Sequence, residues 1–172
     1  MPRRSALIFW VTALTLLIVD QAVKAWTRQE FHIGEAHPLW PGVFELTLTY
    51  NKGIAFGMAQ GMGVWLAPVA VGIAIVAGVY SARNPQERAL IHVCMGLLAS
   101  GAIGNLIDRV WLGQVTDMFW FRLIDFPVFN VADSCITIAT ILLSLTWWKD
   151  APKPAPSAQS SPVSETPPPA SE

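Results

Sequence analysis

Residues 129–148 read FNVADSCITIATILLSLTWW. From Cys135 to Trp148 no residue is charged. A run of about 20 apolar residues is what a helix needs to cross a bilayer. One carboxylate, Asp133, stands just ahead of that run, and Asn130 lies three residues before it. A charge at the threshold of a span is costly unless it caps the helix or has a task there.

The rest of the chain shares the character of this run. Of 172 residues, 53% are hydrophobic and 13% charged, with eight Trp and eight Phe. Soluble domains carry about 25% charged residues. Mean hydropathy is +0.45. Three further stretches, roughly 5–26, 62–80 and 89–109, approach the length of a span, and the fourth is 130–148. None alternates as a lipid-facing barrel strand would. The expected fold class is therefore an all-α membrane protein with four transmembrane helices.

The net charge of −1 and the lack of a basic stripe give no nucleic-acid footprint. Cys94 and Cys135 lie inside apolar segments and read as small buried hydrophobes. Arg3 and Arg4 precede an apolar core, as in a signal peptide, but DQAVK at 20–24 follows it rather than a small-residue cleavage site. The first segment is expected to stay as a helix. Residues 151–172 hold seven Pro and many Ser and cannot bury a core, so a disordered tail is expected there. The expected organisation is a membrane domain over residues 1–150 and this tail over 151–172.

Basic residues orient the spans. Arg3 and Arg4, then Arg83 and Arg88, then Lys149 and Lys153 flank alternate ends of the four segments. The positive-inside rule places all three sites, and both termini, in the cytoplasm. Lys52, Arg109 and Arg122 then fall on the outer side and need another reason to be there.

That orientation gathers polar residues at one depth. Asp20 and Lys24 end the first helix, Asn105, Asp108 and Arg109 end the third, and Asn130 and Asp133 begin the fourth. The external segments 27–61 and 110–129 add Asn51 and Asp117. Each has an ordinary reading: Asp133 as a helix N-cap, Asp20 and Lys24 as a helix-end ion pair, Arg109 snorkelling to headgroups. None of these explains the common depth. ELTLTY at 45–50 and Val115–Trp120 alternate like strands, and Asn51-Lys52-Gly53 reads as a turn, so a small sheet on the outer face is expected.

Two carboxylates brought together cannot both ionise cheaply, and such a pair can act as general base and general acid on one water. No metal or cofactor is needed. The outer-face acids are Asp20, Glu45, Asp108, Asp117, Asp125 and Asp133, and the residues alone do not choose between them. His32, His37 and His92 lack metal-ligand spacing, and there is no G-x-S-x-G elbow. A proton-linked carrier or an assembly subunit is the alternative, although carriers place polar groups nearer the midplane.

Five blocks carry a resemblance: VDQAVK at 19–24, TYNKGIAFG at 49–57, GNLIDR at 104–109, VTD at 115–117 and FNVADS at 129–134. In this order and spacing the chain resembles the bacterial lipoprotein signal peptidase (signal peptidase II) family over residues 5–148. The resemblance implies four transmembrane helices, a small extracytoplasmic β-sheet cradle and a short amphipathic segment. It implies an aspartic endopeptidase of the bacterial plasma membrane, active near the extracytoplasmic face. The implied substrates are diacylglyceryl-modified prolipoproteins, cut before the lipidated cysteine, with membrane lipid as the other partner and no cofactor; apart from the resemblance, a monomer is expected. By motif, Asp117 and Asp133 are the implied catalytic pair. Asn51, Asn105, Arg109 and Asn130 would bind substrate or order the site, and Asp20 and Lys24 would support it. Thr116 departs from the family, which often has valine before this aspartate.

Overall fold

The computed structural model describes residues 2–53 and 66–150. The chain runs α1 (Pro2–Glu30), β1 (Ala36–Trp40), β2 (Phe44–Asn51), α2 (Ala67–Arg83), α3 (Ala89–Leu112), β3 (Val115–Phe121) and α4 (Val131–Asp150), with a 3-10 turn at Arg122–Ile124 before α4. Residues 54–57 of the TYNKGIAFG block, the first four residues of the expected second helix, and the tail 151–172 lie outside the described residues.

By length and composition, α1, α3 and α4 are candidate membrane spans, and α2 is a shorter apolar helix. Apolar side chains such as Leu7, Trp10 and Ile18 on α1, Val76 on α2, and Ile141 and Leu145 on α4 point outward, as lipid-facing residues do. The hub is α3. Its most apolar window is 61% buried, against 17% for the windows of α1 and α4.

Glycines let the helices meet there. A Cβ on Gly101 would lie 2.5 Å from the Ala132 carbonyl oxygen and 2.7 Å from Ile136 Cγ1. Gly101→Ala should therefore push α3 and α4 apart and cost about 1–3 kcal/mol. A drop of several degrees in Tm is the expected result. Gly72→Ala on α2, where nothing lies within 4 Å, should not lower it.

The three strands form an antiparallel sheet in the order β1-β2-β3. The expected strands at 45–50 and 115–120 are β2 and β3, each slightly longer than read; β1 was not expected. Its sequence, AHPLW, contains a proline, which is tolerated at an edge. Apart from the Arg122–Ile124 turn, the described residues show no additional short helix that could be the amphipathic segment.

Candidate active site

The carboxyl ends of α1 and α3, the amino end of α4 and strand β3 converge on one polar cluster. The chain closes back on itself just before α4. The Met118 and Phe119 N–H groups donate to the Phe129 carbonyl at 3.0 and 2.8 Å, and the Phe129 N–H returns to the Phe119 carbonyl at 3.0 Å. This stitch sets β3 beside the first turn of α4, although Asp117 and Asp133 are far apart in sequence.

The cap of α4 is Asn130, not Asp133. The Asn130 Oδ1 accepts the Asp133 N–H at 2.9 Å, and Asp133 Oδ2 accepts the Asn130 N–H at 3.3 Å. This reciprocal capping box holds Asp133 in the first turn of the helix. The Asp133 Oδ1 accepts the Asn105 Nδ2–H from α3 at 2.8 Å. Asp117, on β3, accepts the Asn130 Nδ2–H at 2.6 Å and a hydrogen bond from Asn51. Asn51 reaches it because Asp117 pairs with Thr49 on β2, which puts Asn51 at the diagonal position on the same face. The Asn130 Nδ2 also donates to Asn105 Oδ1 at 3.0 Å. Each acid thus hangs on an asparagine, and the two asparagines are bonded to each other.

Beneath them lies a buried ionic layer. The Lys24 ammonium contacts Asp20 Oδ2 at 3.0 Å, Asn105 Oδ1 at 3.0 Å, the Gly104 carbonyl at 3.3 Å and Asp108 Oδ2 at 3.6 Å, and Lys24 is completely buried. Asp20 also receives the Ala132 N–H of α4 at 2.9 Å, and Asp108 receives the Thr116 N–H of β3 at 2.8 Å. These carboxylates satisfy backbone donors that burial would otherwise leave unpaired.

Asp117 and Asp133 line one cavity of about 830 Å³ and are the two acids among its lining residues. Asn51, Asn105 and Arg109 also line it, while Val69, Ile73, Phe129 and Ile136 contribute apolar walls. The Arg109 guanidinium reaches the carbonyls of Asn105 at 3.3 Å and Gly53 at 3.5 Å. Burial first, and the neighbouring Asp133 charge second, push the Asp117 carboxyl up to about 7, against the hydrogen bonds of Asn130 and Asn51.

The remaining outer-face acids have other employment. Glu45 on β2 is buried and bonded to Arg122 at 2.9 and 3.0 Å, which gives Arg122 its reason to be there. Asp125 sits exposed with φ 46°, a left-handed turn position that Asp tolerates. Sequence reasoning missed Arg28, whose guanidinium contacts Thr116 Oγ1 and Asp108. Its signal was the spacing: Asp20, Lys24 and Arg28 recur every four residues on one helix face.

Residues 12–149 match the family model described as signal peptidase (SPase) II. A lipoprotein signal peptidase of Nostoc punctiforme is 38% identical over 145 residues, covering 84% of this chain and 92% of that protein. One from Gloeothece citriformis is 42% identical over 138 residues, covering 80% and 86%. A solved bacterial membrane enzyme superposes with a TM-score of 0.78 at 31% identity, covering 83% of this chain and 88% of that one.

Proposed function

The chain belongs to the signal peptidase II family, and on that premise we propose that it is an intramembrane aspartic endopeptidase. Its substrates are diacylglyceryl-modified prolipoproteins, cut before the lipidated cysteine. The reaction is direct water attack. One of Asp117 and Asp133 takes a proton from water while the other gives its proton to the peptide oxygen; as the resulting diol collapses, the first passes its proton to the leaving amine and the second takes one back from a diol hydroxyl. No covalent intermediate forms.

The observation that carries this reading is one cavity lined by two acids, the buried Asp117 and the half-buried Asp133, each held by an asparagine. Two acids so placed share a proton more readily than they ionise together. The apolar walls from α2, α3 and α4 suit acyl chains, which would let the scissile bond approach the acids while the lipid stays in the bilayer. Arg109, Asn51 and Asn105 are the polar groups available to the peptide.

The membrane domain spans residues 1–150 and crosses four times, α2 included, with both termini and the tail 151–172 in the cytoplasm. The apolar lengths of α1, α3 and α4, the apolar character of the shorter α2 and the placement of Arg83, Arg88 and Lys149 support this topology.

Cleavage of a diacylglyceryl-modified precursor, with an unmodified precursor left intact, is the test. Cleavage of both at equal rates would remove the lipid from the recognition scheme; cleavage of neither would support a carrier or subunit. The pH dependence follows from Asp117. Its carboxyl is raised from 3.8 to about 7, so the singly protonated pair persists up to neutrality and is lost as pH rises past that value. Cleavage should decline above about pH 7 and decline again in acid, when both carboxyls are protonated and no base remains. A rate that keeps rising from pH 7 to 9 would count against the pair.

A further inference from the structure

Arg28 touches neither proposed catalytic acid and is not among the cavity-lining residues, yet it is tied to the strand that carries Asp117. Its guanidinium donates to Thr116 Oγ1 at 2.9 Å and lies 3.7 Å from Asp108 Oδ1. The other oxygen of Asp108 holds the Thr116 N–H at 2.8 Å. Thr116, fully buried, is therefore gripped at its backbone by α3 and at its hydroxyl by α1. It is the residue immediately before Asp117, at the start of β3.

We propose that Arg28 is a positioning residue, which clamps Thr116 through its hydroxyl and through Asp108 and so sets where Asp117 stands against Asp133. This rests on the reading of Asp117 and Asp133 as the catalytic pair. β3 enters the site directly from the end of α3, through the left-handed Gly113. Its other side pairs with β2, whose register shifts between Leu46 and Thr49, just before the pair Thr49 and Asp117. The ladder is thus irregular beside the acid, and the clamp on Thr116 adds to the backbone bonds at Phe129 in fixing the strand there. A misplacement of the order of 1 Å at a reacting group is enough to cost up to about 10²-fold in rate.

The charges in the layer also call for Arg28. Asp20 and Asp108 are opposed by Lys24 and Arg28, two acids against two bases, all at the α1 and α3 ends. The charged groups on the other packed elements are Asp117 on β3, Asp133 on α4 and Arg109 on α3, which belong to the cavity. Valine at 116 would leave Arg28 no hydroxyl to hold.

The test uses the full chain in lipid, with the modified precursor, rates normalised to folded enzyme, and Asp117→Asn as the inactive control. Arg28→Met should lower kcat by about threefold to tenfold with KM unchanged, because the lost contact lies behind the acid and not on the substrate. Arg28→Lys, which can still donate to Thr116 or Asp108, should recover most of that loss. Thr116→Val should fall between Arg28→Met and wild type. A raised KM with unchanged kcat would place Arg28 on the substrate and overturn the proposal. So would wild-type kcat in both Arg28→Met and Thr116→Val, or an Arg28→Lys variant no better than Arg28→Met. If Arg28→Met does not accumulate, Thr116→Val decides by the same split of kcat from KM. Turnover by Asp117→Asn would instead refute the catalytic pair itself.

Discussion

Asp117→Asn and Asp133→Asn should each reduce cleavage of a lipid-modified precursor by about 10³-fold or more, while the protein stays folded in the membrane. The amide keeps the shape of the carboxyl but can neither take the proton of water nor return one. The structure explains why folding should survive. At position 117 a neutral amide is easier to bury than a charge, and the oxygen that accepts from Asn130 is retained. The amide nitrogen can no longer accept from Asn51, which offsets that gain, so Asp117→Asn should leave Tm close to the wild-type value. At position 133 the amide oxygen can still accept from Asn105, but its nitrogen cannot also accept the Asn130 N–H, so a modest loss of about 1 kcal/mol is expected there. Because the two acids act on one water, the double variant should be no slower than either single one. Near wild-type turnover in either variant, measured by release of the signal peptide, would sink the assignment.

Much of this arrangement could be read from the residues, and the division between what could and could not is physical. The uncharged run after Asp133 announces α4, and the alternation in ELTLTY announces β2. Hydrophobic length and period-two alternation are local signals, legible in one sequence. Positive-inside counting brought Asp20, Lys24, Asn105, Asp108, Asn130 and Asp133 to one level, and the structure places their side chains in one connected cluster. Which acids share a partner was not legible. The Phe119 to Phe129 bridge, which sets Asp117 beside α4, leaves no periodic trace. The N-cap is instructive too: Asp133 alone looked like the cap, and Asn130 took that place, because a residue three before a carboxylate can form the reciprocal pair. The 3-10 turn and its tie to Glu45 through Arg122 were equally hidden, since each depends on strand pairing at a distance.

Lys24→Met should be the most destabilising change in the polar layer, by about 3–5 kcal/mol, read as a large fall in Tm or as failure to accumulate. The reason is what it leaves behind. Lys24 spends its ammonium on Asp20, Asn105 and the Gly104 carbonyl, with Asp108 slightly farther away, and none of these side chains reaches bulk solvent to any extent. Without it, Asp108 still has Arg28, but Asp20 keeps only neutral donors, Gln21 and the Ala132 N–H. A buried carboxylate with no cation is the costly remnant, more than the loss of the pair itself. Adding Asp20→Asn to Lys24→Met should therefore recover part of the stability, since an amide oxygen can still accept the Ala132 N–H while the unpaired charge is gone. Asp20→Asn alone should cost less than Lys24→Met, because Lys24 retains Asp108 and Asn105. If Lys24→Met melts within about 2 °C of the wild type, which for a chain of this size is under about 1 kcal/mol, the ionic layer does not hold the helices together. If the double variant is worse than Lys24→Met, the cost lies in lost packing of the lysine stem rather than in the stranded acid.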